Sequence, residues 1–287
     1  MSGFGERLHT ATAERGALCV GIDPHVSLLH AWGLSADAAG AREFGLRVVD
    51  AAASRVAIVK PQVAFFERYG SAGFAALEEV MAAARQAGLL VLADAKRGDI
   101  GTTMDAYAAA WLTPGAPLEA DAVTVSPYLG VGALTSTFDL ARSAGKGVFV
   151  LAATSNPEAG GLQRALPQGE DGTRRDVPPT VAASVIDEVS ASNRAAGGAL
   201  GDIGFVIGAT VDLAAFGIPA PLDPPAPILA PGFGAQGARL SELRALFGVH
   251  SPHVLASASR SILADGPTGI AAAIDAHNRE LQEARHD

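Results

Sequence analysis

The sequence predicts an α/β chain, specifically a (β/α)8 TIM barrel. Eight short apolar runs recur along 287 residues, with helical patterns between them. The runs are continuously apolar rather than alternating, as expected of parallel strands covered on both faces. The length suits one such barrel, and 49% hydrophobic residues can fill its core. A doubly wound open sheet is the structural alternative. No composition break divides the chain. Residues 1–287 are therefore expected to form one barrel domain, with a leading helix over about 3–15 and a long loop after strand five over about 156–179.

Each element has its own signal. Phe4, Leu8 and Ala11 share a helix face and predict the leading helix. Ala17-Leu18-Cys19-Val20-Gly21-Ile22 reads as strand one and ends at Asp23. Phe44, Val48 and Ala52 line one face of a helix over about 38–54. Val56-Ala57-Ile58-Val59 is strand two, ending at Lys60-Pro61. Phe74, Leu77, Val80 and Met81 mark the next helix, which Gly88 stops. Leu89-Leu90-Val91-Leu92-Ala93 is strand three and runs into Asp94-Ala95-Lys96-Arg97-Gly98-Asp99-Ile100. Thr102 and Asp105 then read as a capping pair that opens a helix.

The alternation continues through the second half. Ala122-Val123-Thr124-Val125 is strand four, and Gly147-Val148-Phe149-Val150-Leu151-Ala152 is strand five, leading to Thr154-Ser155-Asn156-Pro157. The polar stretch over 158–179 is too long for an idle connection and reads as a lid or binding loop. Val181, Val185, Ile186 and Val189 carry a helix. Strand six covers 205–210. A Pro-rich connection over 218–227 leads to strand seven over 228–232, and strand eight covers 254–260. Ile270, Ile274 and Leu281 mark a last helix from about Pro267.

Composition narrows the function. A net charge of -9 argues against nucleic acid or an anionic membrane as a main partner. A single cysteine, Cys19, excludes an intrachain disulfide and fits a reducing compartment. It falls inside strand one and reads as a small core residue. Residues 1–15 are polar, so no signal peptide is expected. No apolar run reaches the ~18 residues of a membrane span. A soluble, cytoplasmic protein is expected.

Polar residues gather at strand C-termini, where barrels place their chemistry. Strand one ends at Asp23, strand two at Lys60, strand three at Asp94 and Lys96. Asp94 and Lys96 are two apart and point the same way in extended backbone. Such charges are costly at a buried strand end unless they pair. An isolated D-x-K-x-x-D can equally be a structural ion-pair cluster; a whole rim of polar residues favours a site. After strands seven and eight, Gly232, Gly234 and Gly237 allow backbone amides close to an anion, with Gln236 and Arg260 as side-chain donors. The histidines, including His25, His30, His250 and His253, lack H-x-x-x-H or H-E-x-x-H spacing. A Mg²⁺ site from Asp23, Asp94 and a substrate phosphate stays open at this point.

Together these motifs resemble the orotidine 5′-phosphate decarboxylase family over nearly the whole chain. Asp94-Ala95-Lys96-Arg97-Gly98-Asp99-Ile100 is similar to its D-x-K-x-x-D-I signature. Gly21-Ile22-Asp23, Val59-Lys60-Pro61, the 230–237 loop and Ser259-Arg260-Ser261-Ile262 are similar to its other strand ends. Lys60-Pro61-Gln62, Thr154-Ser155-Asn156-Pro157 and the long loop resemble its longer bacterial subgroup. The resemblance implies a homodimer of (β/α)8 barrels that converts orotidine 5′-monophosphate to uridine 5′-monophosphate in pyrimidine biosynthesis, without metal or organic cofactor. It implies that Lys60, Asp94 and Lys96 form a charged array with the partner's Asp99. Asp23 and the partner's Thr103 would bind ribose, Ser155 the pyrimidine edge, and Gln236, Ser259 and Arg260 the phosphate end. Two competitors are a Mg²⁺-dependent sugar-phosphate lyase or decarboxylase on a related barrel and a non-catalytic phosphometabolite-binding protein.

Overall fold

The structure, a computed structural model, describes residues 2–167, 179–234 and 237–286. Eight parallel strands close into a barrel in sequence order. They are β1 (Leu18–Ile22), β2 (Ile58–Pro61), β3 (Leu90–Arg97), β4 (Ala122–Val125), β5 (Gly147–Ala153), β6 (Ile203–Ile207), β7 (Ile228–Pro231) and β8 (Val254–Ala258). β1 pairs with β8, Cys19 opposite Ser257 and Val20 opposite Ala258. That closure removes the open sheet from consideration. No helix among the described residues is long and apolar enough to cross a membrane.

The helices pack as their patterns dictate. Phe44, Val48 and Ala52 of helix Ala38–Ala52 are buried. Asp37 caps that helix, its carboxylate accepting the Gly40 N–H at 2.8 Å. In helix Gly70–Gln86 the predicted Leu77, Val80 and Met81 are buried, and Gly88 takes the left-handed conformation just past its end. Each large apolar side chain buried in this way contributes roughly 1.5–3 kcal/mol. The leading helix, Phe4–Arg15, packs near the N-terminal ends of β4 and β5, Arg7 reaching Asp121 and Phe4 lying against Gly147. Phe4 meets Phe149 edge-on with ring centroids 6.0 Å apart, and Arg7 pairs with Asp121 at 3.0 Å. The opposite rim stays open.

Three expectations need correction. First, among the described residues no helix follows β6. The connection to β7 holds Gly208, Gly217, Pro219, Pro221, Pro224, Pro225 and Pro227, too many breakers for a helix to propagate. Second, Thr102 and Asp105 do not form a cap. Helix Gly101–Leu112 starts after Ile100 with no side-chain cap, and Asp105 instead accepts the Ser136 hydroxyl at 2.6 Å. Third, the start of the long loop is folded. Residues Pro157–Ala159 and Gly160–Gln163 form two short helical turns. The Gln163 side chain folds back, its Oε1 accepting the Thr154 N–H at 2.8 Å. Residues 168–178 of that loop lie outside the described residues.

Candidate active site

The C-terminal rim encloses a cavity of about 590 Å³, a size suited to a small-molecule ligand. Asp23, Lys60, Asp94, Lys96, Ser155 and Arg260 all line it. So six side chains from five strand ends, distant in sequence, meet at one place because parallel strands all end on the same rim. Leu151, Val206 and Leu229 give the cavity an apolar wall.

Asp23 follows β1 directly. The Ser259 hydroxyl donates to its Oδ2 at 2.6 Å. Gly21 permits this approach, since a Cβ there would lie 2.7 Å from the Ser259 Cβ. The other Asp23 oxygen, Oδ1, is buried without a hydrogen-bond partner among the described residues. A buried carboxylate oxygen without a partner calls for one, such as a ligand hydroxyl or a water.

The charged array comes from β2 and β3. Lys60 Nζ donates to Asp94 Oδ2 at 3.0 Å, and Lys96 Nζ donates to Asp94 Oδ1 at 2.5 Å. The Thr124 hydroxyl is the third donor to this carboxylate, and the second to Oδ1, at 3.0 Å. Burial opposes the charge on Asp94, yet the Lys60 and Lys96 ammoniums hold its carboxyl well below the usual range. Burial likewise opposes the charge on Lys60, and Asp94 with Asp23 overrides it and raises its pKa. Both groups are therefore ionised near neutral pH. The side chains of Lys60 and Asp94 are 6% and 8% exposed, whereas that of Lys96 is 46% exposed. Lys60 and Asp94 thus form the buried base of the array, and Lys96 carries its charge to the ligand space. Under Lys60, burial pushes the Cys19 thiol up to about 12, so Cys19 is an inert core residue.

The Asp94 donor set bears on metal chemistry. Two ammoniums and a hydroxyl already occupy its oxygens, which leaves a divalent cation facing two positive charges. Among the described residues no group of three or more histidine, cysteine, aspartate or glutamate residues could hold a metal ion. The Asp23–Asp94 pair therefore does not fit Mg²⁺.

Two predicted residues lie elsewhere. Asp99 sits on the exposed loop after β3, outside the cavity of its own chain, with its Oδ1 accepting the Ile100 N–H at 2.8 Å. Thr103 is exposed on helix Gly101–Leu112 and is also outside the cavity. Gln236 lies outside the described residues. Gly232 lines the cavity beside Arg260 with φ 118, a backbone that favours glycine.

Sequence reasoning gave no role to four residues that the fold brings here. His25 and Phe65 pack together on the cavity wall with ring centroids 4.1 Å apart and planes tilted by 57°. Gln62 stands beside the array, accepting from Lys60 Nζ at 3.5 Å and donating to the Asp94 carbonyl at 3.3 Å. Its place in Lys60-Pro61-Gln62, two residues from the lysine, was the available signal. The fourth is Thr124, one hydroxyl in an otherwise apolar strand.

A closed (β/α)8 barrel with a Lys–Asp–Lys array and an arginine around one rim cavity defines a barrel enzyme acting on a small anionic ligand. Comparison with known proteins fixes the family. Residues 16–246 match the model of the orotidine 5′-phosphate decarboxylase / HUMPS family. The orotidine 5′-phosphate decarboxylase of Salinispora arenicola is 53% identical over 99% of this chain and 98% of its own. A Streptomyces avermitilis crystal structure with a provisional orotidine 5′-phosphate decarboxylase assignment superposes with a TM-score of 0.91. It is 48% identical over 100% of this chain and 97% of its own. The Leishmania donovani OMP decarboxylase is 31% identical over 100% of both chains, with a TM-score of 0.77. The chain belongs to the orotidine 5′-phosphate decarboxylase / HUMPS family.

Proposed function

We propose that this chain is a carboxy-lyase that converts orotidine 5′-monophosphate to uridine 5′-monophosphate and CO₂ in de novo pyrimidine biosynthesis. The observation that carries this is the half-exposed Lys96 ammonium, held 2.5 Å from Asp94 at the edge of a nucleotide-sized cavity. As the bond from C6 to the carboxylate breaks, its electron pair stays on C6. Lys96 stabilises that developing charge and then gives C6 its proton, which solvent restores to the amine. Asp94 holds both lysine ammoniums in place, so the field at C6 is preorganised. The apolar Leu151, Val206 and Leu229 lower the local dielectric and strengthen that field.

The other contacts follow the ligand's chemistry. Asp23 accepts a ribose hydroxyl on its unpaired Oδ1, with Ser259 fixing the carboxylate. Ser155 reads the pyrimidine edge. Arg260, Gln236 and the glycine loop after β7 hold the phosphate. The site is completed by a second copy of the chain, whose Asp99 and Thr103 enter across the interface. This is supported by the position of Asp99 on a loop that also exposes Ile100 at 60%. The loop after the adjacent β4 exposes Tyr128 at 76% and Leu129 at 52%, large apolar side chains that a homodimer would cover. No metal or organic cofactor is required, and neither nucleic acid nor membrane is a partner. A single buried thiol suits the cytoplasm.

The test is direct. Purified protein is mixed with orotidine 5′-monophosphate, with and without EDTA, and conversion is followed by absorbance. Turnover unaffected by EDTA is expected; a folded, dimeric sample without turnover would overturn the reading. Arg260→Ala is expected to lower kcat/KM by roughly 10–150-fold, the worth of one charge-assisted hydrogen bond. Both KM and kcat should suffer, because phosphate binding also supports the chemical step. Unchanged kinetics in this variant would remove Arg260 from the phosphate site.

A further inference from the structure

β3 and β4 fall out of register at the array. Ala93 pairs with Val123 and Arg97 pairs with Val125, so three β3 residues, Asp94, Ala95 and Lys96, lie opposite Thr124 alone. The bulge turns Lys96 to φ 49, a left-handed backbone that costs a non-glycine residue energy. It also separates the Lys96 N–H from a ladder carbonyl, and such a group needs another acceptor. The Thr124 hydroxyl is that acceptor, at 2.9 Å. Its single proton goes onward to Asp94 Oδ1 at 3.0 Å. One wholly buried hydroxyl therefore links the backbone that carries Lys96 to the carboxylate that its ammonium grips. Bonds that run in one direction, amide to hydroxyl to carboxylate, polarise one another.

We infer that Thr124 is a positioning residue, whose hydroxyl holds the β3 bulge and the Asp94 carboxylate so that Lys96 projects at the reacting carbon. The inference rests on the decarboxylase reading for its kinetic consequence, but not for its geometry. Thr124 touches no ligand, as it does not line the cavity. Its loss should therefore reach the chemical step and leave binding alone.

Thr124→Val keeps the side chain's shape and removes both bonds. It is expected to lower kcat by about 10–100-fold, the effect of losing a hydrogen bond to a charged group. KM, uridine 5′-monophosphate affinity and melting temperature should change little by comparison. Thr124→Ser keeps the hydroxyl and should restore kcat to within about threefold of the unsubstituted protein. If Thr124→Val does not fold, Thr124→Cys, compared with Thr124→Ser, puts a far weaker donor and acceptor in place of the hydroxyl, and should fall in the same direction. Amide hydrogen exchange supplies a second readout: the Lys96 N–H should exchange at least about tenfold faster in Thr124→Val and stay protected in Thr124→Ser. Normal kcat with a protected Lys96 amide in Thr124→Val would overturn the inference. So would equal kcat losses in the valine and serine variants. Should the unsubstituted protein lack decarboxylase activity, the function reading fails, and the amide result alone decides the role of Thr124.

Discussion

Replacing Lys96 with alanine is expected to lower kcat by at least about 10³-fold, with binding of uridine 5′-monophosphate nearly retained. Loss of one donor aimed at a developing anion typically costs roughly 3–4 kcal/mol, and loss of a general acid adds a further factor of about 10²–10⁴. These contributions overlap, so the combined loss is smaller than their product. The fold should tolerate the change. Asp94 keeps its bonds from Lys60 and Thr124, so no buried charge is stranded. Lys96 is half exposed, and its left-handed backbone costs alanine no more than lysine. The contrast with the buried Lys60 is direct, since its removal would leave Asp94 with a partner missing inside the barrel. Turnover, calorimetric affinity for uridine 5′-monophosphate and melting temperature are the three measurements. A Lys96→Ala protein within tenfold of full turnover would exclude Lys96 as the proton donor.

Legibility in the sequence followed the range of the interaction. Asp94 and Lys96 are two apart, so an extended strand would already set them on one side, but in the structure a bulge and a left-handed Lys96 backbone, not period two alone, bring their side chains together. Lys60 and Asp94 are 34 residues apart, yet both end strands that a barrel must set side by side. The rule that a barrel's active groups lie on one rim was enough to place them. Thr124 was not legible. As one hydroxyl in a buried strand it resembles many β-rich sequences, and its role depends on a register shift that no propensity encodes. The false cap at Thr102 had the opposite cause: a good local pattern lost to Ile100 and Gly101, which already turn the chain into the helix. Regular alternation implies a helix between β6 and β7, and the prolines already visible in that connection are what prevent one. The resemblance assigns Asp99 to the partner's site, and in the structure Asp99 lies outside the cavity of its own chain.

That position leads to the second large effect. Asp99→Ala is expected to be as inactive as Lys96→Ala, although Asp99 lies outside the cavity of the chain that carries it. If two subunits share each site, the defects are complementary. A hybrid dimer then has one site with both Lys96 and Asp99 intact and one site with neither. Free exchange makes about half of all dimers hybrid, each with one working site, so mixing should restore about one quarter of full activity. If Asp99 instead serves its own chain, every site in the mixture lacks one residue and nothing returns. The two models therefore differ by a large signal against a near-zero background. Exchange must be shown on the same sample, by mass-labelled subunits for example, because kinetically locked homodimers would imitate the cis result. With exchange shown and no activity regained, the shared site would be excluded and Asp99 would lose its place in the array. Recovery near one quarter would also explain the exposed Ile100, Tyr128 and Leu129. The apolar area that holds the dimer together would then be the same surface that delivers the partner's Asp99, so site assembly and dimer stability would rise and fall together.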